Sequence, residues 1–345
     1  MKKKATLRDV SRKAGVSQGT VSRVLNGRPV RVHPNTRDRV LSFAAELGYT
    51  PNRNAQALKT GRTGAIGLLA RDLADGFVID CLRSMEATLA QMKMQPSWIT
   101  SSGMGNSDSE EMLASASRLP IDGLVVIESG ELFTDAEILR FHAEENLPIV
   151  TVLRRVRGGY VSNVCIDVKQ GMRKVVEHLV ELGHSKIALC QPEAQTEMSL
   201  KRAEGFVETM RENGVPIRED WMPAIGRGTF EDGVRLGNRL LRSDDRPTAI
   251  IGWMDLVSFA LVRVCAERGL RIPRDISIAG LENIRTAAYY NPPLTALDPD
   301  FELIGRRSIE MLNHQIEKNI PLFEATEETV IPRLVIREST GPATT

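Results

Sequence analysis

Residues 6–26, TLRDVSRKAGVSQGTVSRVLN, predict two short helices joined by a sharp turn, the arrangement called helix-turn-helix. Thr6 is a good helix N-cap, and Asp9 stands three residues later, which is the spacing of a capping box. Gly15 follows the first helix, where a left-handed helix end favours glycine. Ser17 can cap the second helix, and apolar residues at helical spacing give each helix one inner face. This stretch therefore predicts a small all-α module at the amino terminus.

The outer face of the second helix carries small and polar side chains. Gln18, Gly19 and Arg23 are predicted to set base preference. Such side chains let a helix enter a major groove, and arginine can contact guanine with two hydrogen bonds. Hydroxyl and amide groups suit phosphate oxygens and base edges. The residues predicted to position the helix in this way are Thr6, Ser17, Thr20, Ser22 and Asn26. The alternative is an ordinary amphipathic helix pair with a polar surface.

The charge of the chain is divided unevenly along its length. The 345 residues are 42% hydrophobic and 26% charged, which is ordinary for a globular protein and long enough for two or three domains. Residues 1–62 contain 14 Lys+Arg and 3 Asp+Glu, a net charge of +11, which leaves −10 for the rest because the whole chain is +1. A basic amino-terminal segment followed by an acidic remainder indicates a nucleic-acid-binding module joined to a body that does not surround the nucleic acid.

The sequence contains no targeting or membrane signal. The lysines at 2–4 are followed by polar residues, so the amino terminus does not read as a signal peptide. No run reaches the roughly 18 apolar residues of a membrane span. The cysteines are scattered without a CxxC pair, which favours reduced thiols; they are Cys81, Cys165, Cys190 and Cys265. We predict a cytoplasmic protein with no membrane partner.

A third helix and a basic linker follow the helix-turn-helix. Pro34 suits the first turn of a helix, and Gly48 suits its end. The segment 49–62, YTPNRNAQALKTGR, then predicts a short helical turn inside a flexible linker. A helix this short is marginal in water without a partner. A plain interdomain linker is the alternative.

From Ala65 onward, apolar strand-like runs alternate with helix-like segments. This alternation predicts parallel sheets covered by helices on both faces. About 280 residues is large for one such unit, so we expect two lobes. Ligands of open α/β sheets bind beyond the carboxyl ends of the strands, which a cleft between two lobes would contain. The strand-like runs are 65–70, 123–127, 148–153, 186–190, 248–253 and 276–280. The helix-like segments include 79–93, 135–146, 171–182, 200–213, 256–268 and 301–318.

Residues 6–26, together with PNRNAQALK at 51–59, resemble the LacI/GalR family of bacterial transcriptional repressors. Four further segments extend the resemblance over almost the whole chain: 177–189, 201–206, 267–280 and 289–297. The family implies a hinge helix that forms when two subunits meet on an operator and wedges a leucine into the minor groove. Leu58 stands at that position, and an apolar wedge kinks the duplex. The implied DNA contacts of this segment are Asn52, Ala55, Gln56, Leu58 and Lys59.

The resemblance also implies the fold and its division. The class is α/β, with an all-α helix-turn-helix headpiece and a periplasmic-binding-protein-like body of two doubly wound parallel α/β lobes. The expected parts are the headpiece (1–50), the hinge helix and linker (51–63), the N-terminal lobe (64–163 and 294–326) and the C-terminal lobe (164–293 and 327–340). The chain is expected to change lobes near Val164, Pro293 and Glu327. The stretch TVIPRLVIR, 329–337, is expected to be the last strand of the C-terminal lobe.

The effector-binding residues implied by the resemblance lie in the interlobe cleft. Arg202 matches the arginine that family members use to bind ligand hydroxyls or carboxylates, and it is the clearest match of the set. The forked guanidinium of an arginine suits either group. Asp167 and Asp255 have an alternative role as helix caps, and Phe77 could stack on a sugar or fill the core. The full set is Phe77, Arg154, Asp167, Arg202, Trp253, Asp255 and Glu282.

The identity of the effector stays open because several positions depart from the family pattern. Leu153 stands where an aspartate is usual, and Met254 replaces an asparagine. These changes remove polar groups that hold a simple sugar. Arg71, Arg154 and Arg155 near strand ends favour an anion. A sugar, a sugar acid, a sugar phosphate or no effector at all are compatible with the sequence.

These observations predict a regulator, most simply a repressor, that binds a palindromic double-stranded operator as a homodimer and responds to a small-molecule effector. The resemblance implies a bacterial, nucleoid-associated protein. The sequence leaves open whether the effector releases or favours the operator, whether the protein represses or activates, and whether it is a dimer or a tetramer. The alternative is a solute-binding protein without DNA binding. No nucleotide-binding, nucleophile-elbow or metal-ligand spacing is present, so we predict no enzyme activity, no catalytic residue, no cofactor and no metal.

Overall fold

The computed structural model describes residues 5–25, 30–49, 61–71, 73, 76–100, 109–128, 132–158, 160–193, 195–226, 228–243, 245–318 and 325–344. The chain divides into two compact units, Met1–Gly64 and Ala65–Thr345. The first unit is the headpiece, and the second is the α/β body. Each is described separately below.

The headpiece contains three helices: α1 (Leu7–Ala14), α2 (Gln18–Leu25) and α3 (Pro34–Glu46). The predicted capping box is present, since the Asp9 N–H donates to Thr6 Oγ1 at 3.3 Å and the Thr6 N–H donates to Asp9 Oδ2 at 2.9 Å. Gly15 ends α1 with φ of +63°, a left-handed conformation that favours glycine. The helices close around a small apolar core of Val10, Ala14, Val21, Val24, Val40 and Ala44. The predicted helix-turn-helix is confirmed.

The described elements of the body alternate between strands and helices. In chain order they are β1 (Ala65–Ala70), α4 (Gly76–Gln91), β2 (Gln95–Thr100), α5 (Ser109–Ser117), β3 (Gly123–Ile127), α6 (Asp135–Glu145), β4 (Ile149–Val152), β5 (Ser162–Ile166), α7 (Val168–Glu181), β6 (Ile187–Leu189), β7 (Gln191–Pro192), α8 (Glu197–Glu212), β8 (Ala224–Ile225), α9 (Phe230–Leu240), β9 (Ala249–Ile251), α10 (Asp255–Glu267), β10 (Ser277–Gly280), β11 (Thr295–Asp298), α11 (Phe301–Lys318), β12 (Glu327–Val330) and β13 (Arg333–Val335). Two 3₁₀ turns, Glu219–Trp221 and Arg285–Ala288, complete the set.

The first lobe is built on a six-stranded sheet in the order β12-β5-β4-β3-β1-β2, and every pair in it is parallel. Alternate residues of a strand point to opposite faces. Ile66 and Leu68 therefore join α4 and α11 in one buried cluster, while Leu69 joins α5 and α6 in the other. Helices on both faces of a parallel sheet confirm the predicted α/β class.

The second lobe is built on a five-stranded sheet in the order β13-β11-β10-β9-β6. Its strands are parallel except for β13, which runs antiparallel to β11. Helices α9 and α10 pack on one face, and α7 and α8 pack on the other. The short strands β7 and β8 form a separate parallel pair. The carboxyl ends of β6, β9 and β10 lead into α8, α10 and the turn Arg285–Ala288, which carry the site described below.

The carboxyl-terminal strand differs from the prediction. The stretch 329–337 is not one strand, because Ile331 and Pro332 separate β12, in the first sheet, from β13, in the second. Proline has no N–H to donate to a sheet ladder, so it interrupts a strand at such a position. The change of sheet follows Val330, three residues after the predicted crossing at Glu327. The other two changes of sheet follow Ile166 and Asp298, slightly later than the predicted positions.

Candidate functional site

The outer face of α2 is open to solvent. Gln18, Gly19 and Arg23 are exposed, while Val21 and Val24 anchor the opposite face in the headpiece core. The helix therefore presents its predicted base-reading side chains without disturbing the packing. A helix in this position within a helix-turn-helix enters the major groove.

The amino terminus of α2 is held by its own hydroxyl groups. Ser17 Oγ accepts the Thr20 N–H at 3.1 Å and lies 2.9 Å from Thr20 Oγ1, which confirms the predicted cap. Ser17 and Thr6 are exposed, and Thr20 and Ser22 are half-buried. The remaining predicted DNA contacts, Asn26, Asn52, Ala55, Gln56, Leu58 and Lys59, lie outside the described residues and stay predictions.

A cavity of about 750 Å³ lies between the two lobes of the body. The first lobe lines it with residues at the carboxyl ends of its strands, among them Glu128 after β3, Arg154 after β4 and Asp167 after β5. The second lobe contributes the start of α8, from Thr196 to Glu204. Ligands of open α/β folds bind at this position, beyond the carboxyl ends of the strands. Of the seven predicted effector residues, only Arg154 and Asp167 line this cavity.

Arg154 is engaged by a network within its own lobe. Its Nη1 donates to Glu128 Oε2 at 2.9 Å and to the Phe133 carbonyl, and its Nη2 donates to Asp135 Oδ1 at 2.6 Å. Glu128 also accepts the Phe133 N–H at 3.1 Å. Burial raises the pKa of Glu128, and the guanidinium of Arg154 opposes that rise. Arg154 therefore ties the ends of β3 and β4 to the start of α6.

Asp167 acts as a helix cap at the edge of the cavity. Its Oδ1 accepts the Gln170 N–H at 2.9 Å and so satisfies a free amide in the first turn of α7. The capping alternative is therefore realised for this residue. Its second carboxylate oxygen is not part of that bond.

The other cations of the cavity wall are each matched by a carboxylate. Arg155 contacts Glu327 through two nitrogens, and the Lys169 Nζ lies 2.9 Å from the Glu204 Oε1. Glu197 pairs with both Arg157 and Lys201, and Glu208 is a second partner of Lys169. The cavity wall therefore carries paired positive and negative side chains and not a cluster of charges of one sign.

Arg202 belongs to a second, more buried cluster at the strand ends of the second lobe. Its guanidinium lies over the Trp253 ring, 4.3 Å from the centroid, and its Nη1 donates to the Trp253 carbonyl at 3.3 Å. Its Nε is buried without a hydrogen-bond partner. Burial lowers the pKa of Arg202 to about 10, although the nearby Glu282 and Asp255 favour the charged form. An unpaired, buried guanidinium nitrogen points to a missing acceptor.

Asp255 joins the ends of β9 and β10 through their backbone. Its carboxylate accepts the Glu282 N–H at 3.2 Å and the Ile284 N–H at 2.9 Å, and its own N–H donates to Glu282 Oε2 at 3.1 Å. Burial raises the pKa of Asp255 to about 6, and these backbone hydrogen bonds oppose the rise. Gly280 has room for no side chain, because a Cβ would lie 2.2 Å from Asp255 Oδ1. Asp255 and Glu282 therefore join the loops after β9 and β10, and the first of these loops carries Trp253, which lies against Arg202 of α8.

Phe77 lies in the core of the first lobe. It is buried in the α4–α11 cluster, with its ring 5.6 Å from that of Phe301. It does not line the cavity, so the core-filling alternative describes its position. The cavity also contains residues that were not predicted as ligand contacts, among them Glu128, Lys169, Glu197 and Lys201. Their signal in the sequence was weak: they are charged residues directly after strands or in the first turns of helices.

Among the described residues, no group of three or more His, Cys, Asp or Glu side chains is arranged to hold a metal ion. No helix in the described part of the chain combines the length and apolar character needed to cross a bilayer.

A helix-turn-helix unit joined to a two-lobed α/β body with a cavity at its strand ends defines the class of ligand-responsive DNA-binding regulators. The model of bacterial regulatory proteins of the lacI family matches residues 6–52, and that of the periplasmic binding protein-like domain matches residues 176–340.

Similar proteins span the full length of the chain. The transcriptional repressor PurR of Proteus mirabilis is 30% identical over 339 residues, 97% of this chain and 96% of that protein. Catabolite control protein A of Priestia megaterium is 28% identical over 344 residues, 97% of this chain and 99% of that protein. A solved structure of the lac repressor dimer, bound to operator and the anti-inducer ONPF, superposes with a TM-score of 0.77 at 27% identity, covering 98% of this chain and 100% of that one.

The chain belongs to the LacI family. It is a DNA-binding transcriptional regulator, which confirms the predicted family, fold and function over the solute-binding alternative. Its relatives are regulatory proteins and not enzymes.

Proposed function

We propose that this protein is a cytoplasmic repressor that binds a near-palindromic operator as a homodimer and changes its DNA affinity when a small molecule occupies the interlobe cavity. The exposed polar face of α2 in a confirmed helix-turn-helix carries this proposal. Two headpieces would read half-sites about one helical turn apart. The basic character of residues 1–62 supports contact with phosphates.

Within each half-site, Gln18, Gly19 and Arg23 are proposed to read bases. Thr6, Ser17, Thr20, Ser22 and Asn26 are proposed to position the helix. In the following segment, Asn52, Ala55, Gln56 and Lys59 are proposed to contact DNA around the Leu58 wedge. Since wedging kinks the duplex, Leu58→Ala should reduce operator bending.

Exposed apolar side chains on both lobes support the dimer. Ile79 in α4 and Trp98 in β2 belong to the first lobe, and Leu256 in α10 belongs to the second. Tyr289, also in the second lobe, leaves 87% of its surface exposed. Exposed apolar side chains mark a protein interface where they form a contiguous patch, so we propose that some of these residues lie in the dimer interface. The lac repressor, a family relative, is a dimer in its operator complex.

The charge pairing of the cavity favours a neutral, hydroxyl-rich effector over a sugar acid or sugar phosphate. Arg154, Arg155 and Lys169 already face carboxylates, so no described cation of the wall is left to select an anion. Arg202 and Glu282 lie outside the lining of this cavity, in the buried cluster of the second lobe, and offer a donor next to an acceptor, the pair that a sugar hydroxyl requires. The proposal therefore includes that the effector extends from the cavity to this cluster. Two relatives were solved with neutral sugars, the regulator CelR with cellobiose and an Enterococcus faecium LacI family regulator with ribose.

The operator proposal is tested by comparing two arginines of equal charge. Arg23→Ala should weaken binding to the native operator by about 1–3 kcal/mol and relax preference at one base pair. Arg39→Ala, an exposed change on α3, removes the same charge without removing a proposed base contact. Titrations against operator and random DNA at two salt concentrations separate these effects. Equal weakening on both DNAs by Arg23→Ala would contradict base reading.

The effector proposal is tested by thermal-shift screening of the full chain with neutral sugars, sugar acids and sugar phosphates. A ligand that binds only the folded protein raises the melting temperature as its concentration exceeds Kd. We expect the largest shift from a neutral sugar, and expect Arg202→Met to abolish it. A larger shift with a phosphorylated sugar would overturn the proposed effector class.

A further inference from the structure

Among the residues that the structure describes, two ion pairs cross from one lobe of the body to the other. Arg157, after β4 of the first lobe, places its Nη2 3.6 Å from Glu197 Oε1, at the start of α8. Arg285, in the turn after β10 of the second lobe, places its Nε 3.3 Å from Oδ1 of Asp80, the fifth residue of α4. Each pair joins a residue of one lobe to a residue of the other. Neither pair can therefore form unless the two lobes are close together.

The pairs lie at separate points along the cleft. In the first sheet, β3 separates β4, which leads to Arg157, from β1, which leads to Asp80. In the second sheet, β9 separates β6, which leads to Glu197, from β10, which leads to Arg285. Neighbouring strands are about 4.8 Å apart, so two strand positions separate the pairs by roughly 10 Å in each sheet. The strand ends between them carry Glu128, which lines the cavity, and Trp253, which lies against the guanidinium of Arg202.

An apolar contact accompanies the second pair. Gly76, the first residue of α4, lies so close to Ile284 that a Cβ would stand 2.9 Å from its Cγ2. Ile284 is the residue before Arg285 and packs against the core of the second lobe. The absence of a side chain at position 76 thus permits the close approach that the Asp80–Arg285 pair requires.

We infer that these two ion pairs act as a latch that holds the two lobes of the body together. Arg157 exposes 73% of its side chain and Arg285 71%, so each pair alone is weak and is screened by salt. Two pairs at separate points resist hinge opening together, because opening breaks both. Arg157 and Glu197 also line the cavity, so a ligand that enters there meets one half of the latch. This inference goes beyond the proposed function and depends on neither DNA nor effector.

The test measures the distance between the lobes in the full-length protein by pulsed electron spin resonance. One spin label is placed at Glu144→Cys on α6, in the first lobe, and the other at Arg239→Cys on α9, in the second; both positions are exposed. The four native cysteines are free and buried, so labelling is directed to the introduced pair. Asp80→Asn with Glu197→Gln removes both ion pairs with little change in side-chain volume.

In the double variant we expect the population with a longer interlobe distance to be about two- to thirtyfold larger than in the wild type. In the wild-type protein, 1 M NaCl should increase this population by a similar factor, because salt screens both ion pairs. The matched control is Glu267→Gln, which breaks the exposed Arg263–Glu267 pair inside α10 and should leave the distances unchanged. The charge-swapped variant Asp80→Arg with Arg285→Asp should retain the wild-type distribution. Distances in the double variant equal to those of the control, or a swapped variant as open as the double variant, would overturn the latch.

Discussion

Arg154 and Arg202, the two arginines that the sequence assigns to the effector, occupy opposite environments. Arg154 donates to Glu128, Asp135 and a backbone carbonyl, and keeps 17% of its side chain exposed. Arg202 is almost fully buried, makes one hydrogen bond to a carbonyl, lies over Trp253 and leaves its Nε without a partner. Arg154 therefore makes three hydrogen bonds within its own lobe, whereas Arg202 has a buried donor without an acceptor.

This difference separates a structural role from a ligand role. A buried guanidinium whose hydrogen bonds are all made within the protein stabilises the loops around it and has little left for a ligand. A buried donor without an acceptor costs free energy that a ligand hydroxyl would recover. The free energy of unfolding therefore distinguishes the two arginines. Trp98, Trp221 and Trp253 all belong to the body, so tryptophan fluorescence reports its unfolding separately from the headpiece.

The largest loss of stability is expected for Arg154→Ala. It leaves the carboxylate of Glu128, which is 4% exposed, without its cation, and breaking such a pair costs about 3 kcal/mol. The loss should be smaller at pH 5 than at pH 7, because the unpaired Glu128 can then be protonated. Urea unfolding at both pH values measures this. Arg263→Ala, which breaks an exposed pair, serves as the control and should change the free energy of unfolding by less than about 1 kcal/mol.

An intermediate loss of stability is expected for Asp255→Asn. An amide offers one oxygen, so it cannot accept both the Glu282 and Ile284 N–H groups, and one buried unsatisfied donor costs about 1–3 kcal/mol.

The pH dependence of that loss follows from the pKa of Asp255, which burial raises to about 6. A carboxyl group with a raised pKa favours the folded state while protonated, and this contribution disappears as the pH rises from about 4 through 6. The gap in unfolding free energy between wild type and Asp255→Asn should therefore narrow between pH 4.5 and 7.5. A gap that widens over this range would contradict the assignment of a raised pKa.

The smallest change in stability is expected for Arg202→Met. Burial lowers the pKa of Arg202 to about 10, so folding disfavours its charged form, and an apolar side chain of similar length should cost less than about 1 kcal/mol or stabilise the body. Its effect should appear in ligand binding instead. Urea unfolding together with the sugar screen measures both properties. If Arg202→Met destabilised the body as strongly as Arg154→Ala, the distinction between the two arginines would fail.

Much of the architecture was predictable because it depends on short-range patterns. The Thr6–Asp9 capping box, the glycine at position 15 and the apolar spacing of α1 and α2 all act within four residues, and the structure confirms them. The buried strand β3, GLVVI, is a continuous apolar run between polar segments, as parallel strands buried on both faces require.

Elements with mixed patterns were harder to predict. β2, QPSWIT, lies at the edge of its sheet and has one buried residue, Ile99, so its sequence lacks the apolar run of a buried strand. The prediction also treated 329–337 as one strand, although Pro332 divides it between two sheets. An apolar run shows that a strand exists, but its partner depends on strands far away in the chain.

The sequence alone determined the helix-turn-helix, the alternating α/β body and the group of residues from which a ligand site could be built, because those features follow from neighbours on one helix or strand. Only the tertiary structure decided that Arg154 meets Glu128 while Arg202 meets Trp253, and that Asp80 meets Arg285 across the cleft. These partners are separated by 26, 51 and 205 positions, and sheet order brings them together. Whether a charge is saturated or available to a ligand is therefore a property of the packed lobes.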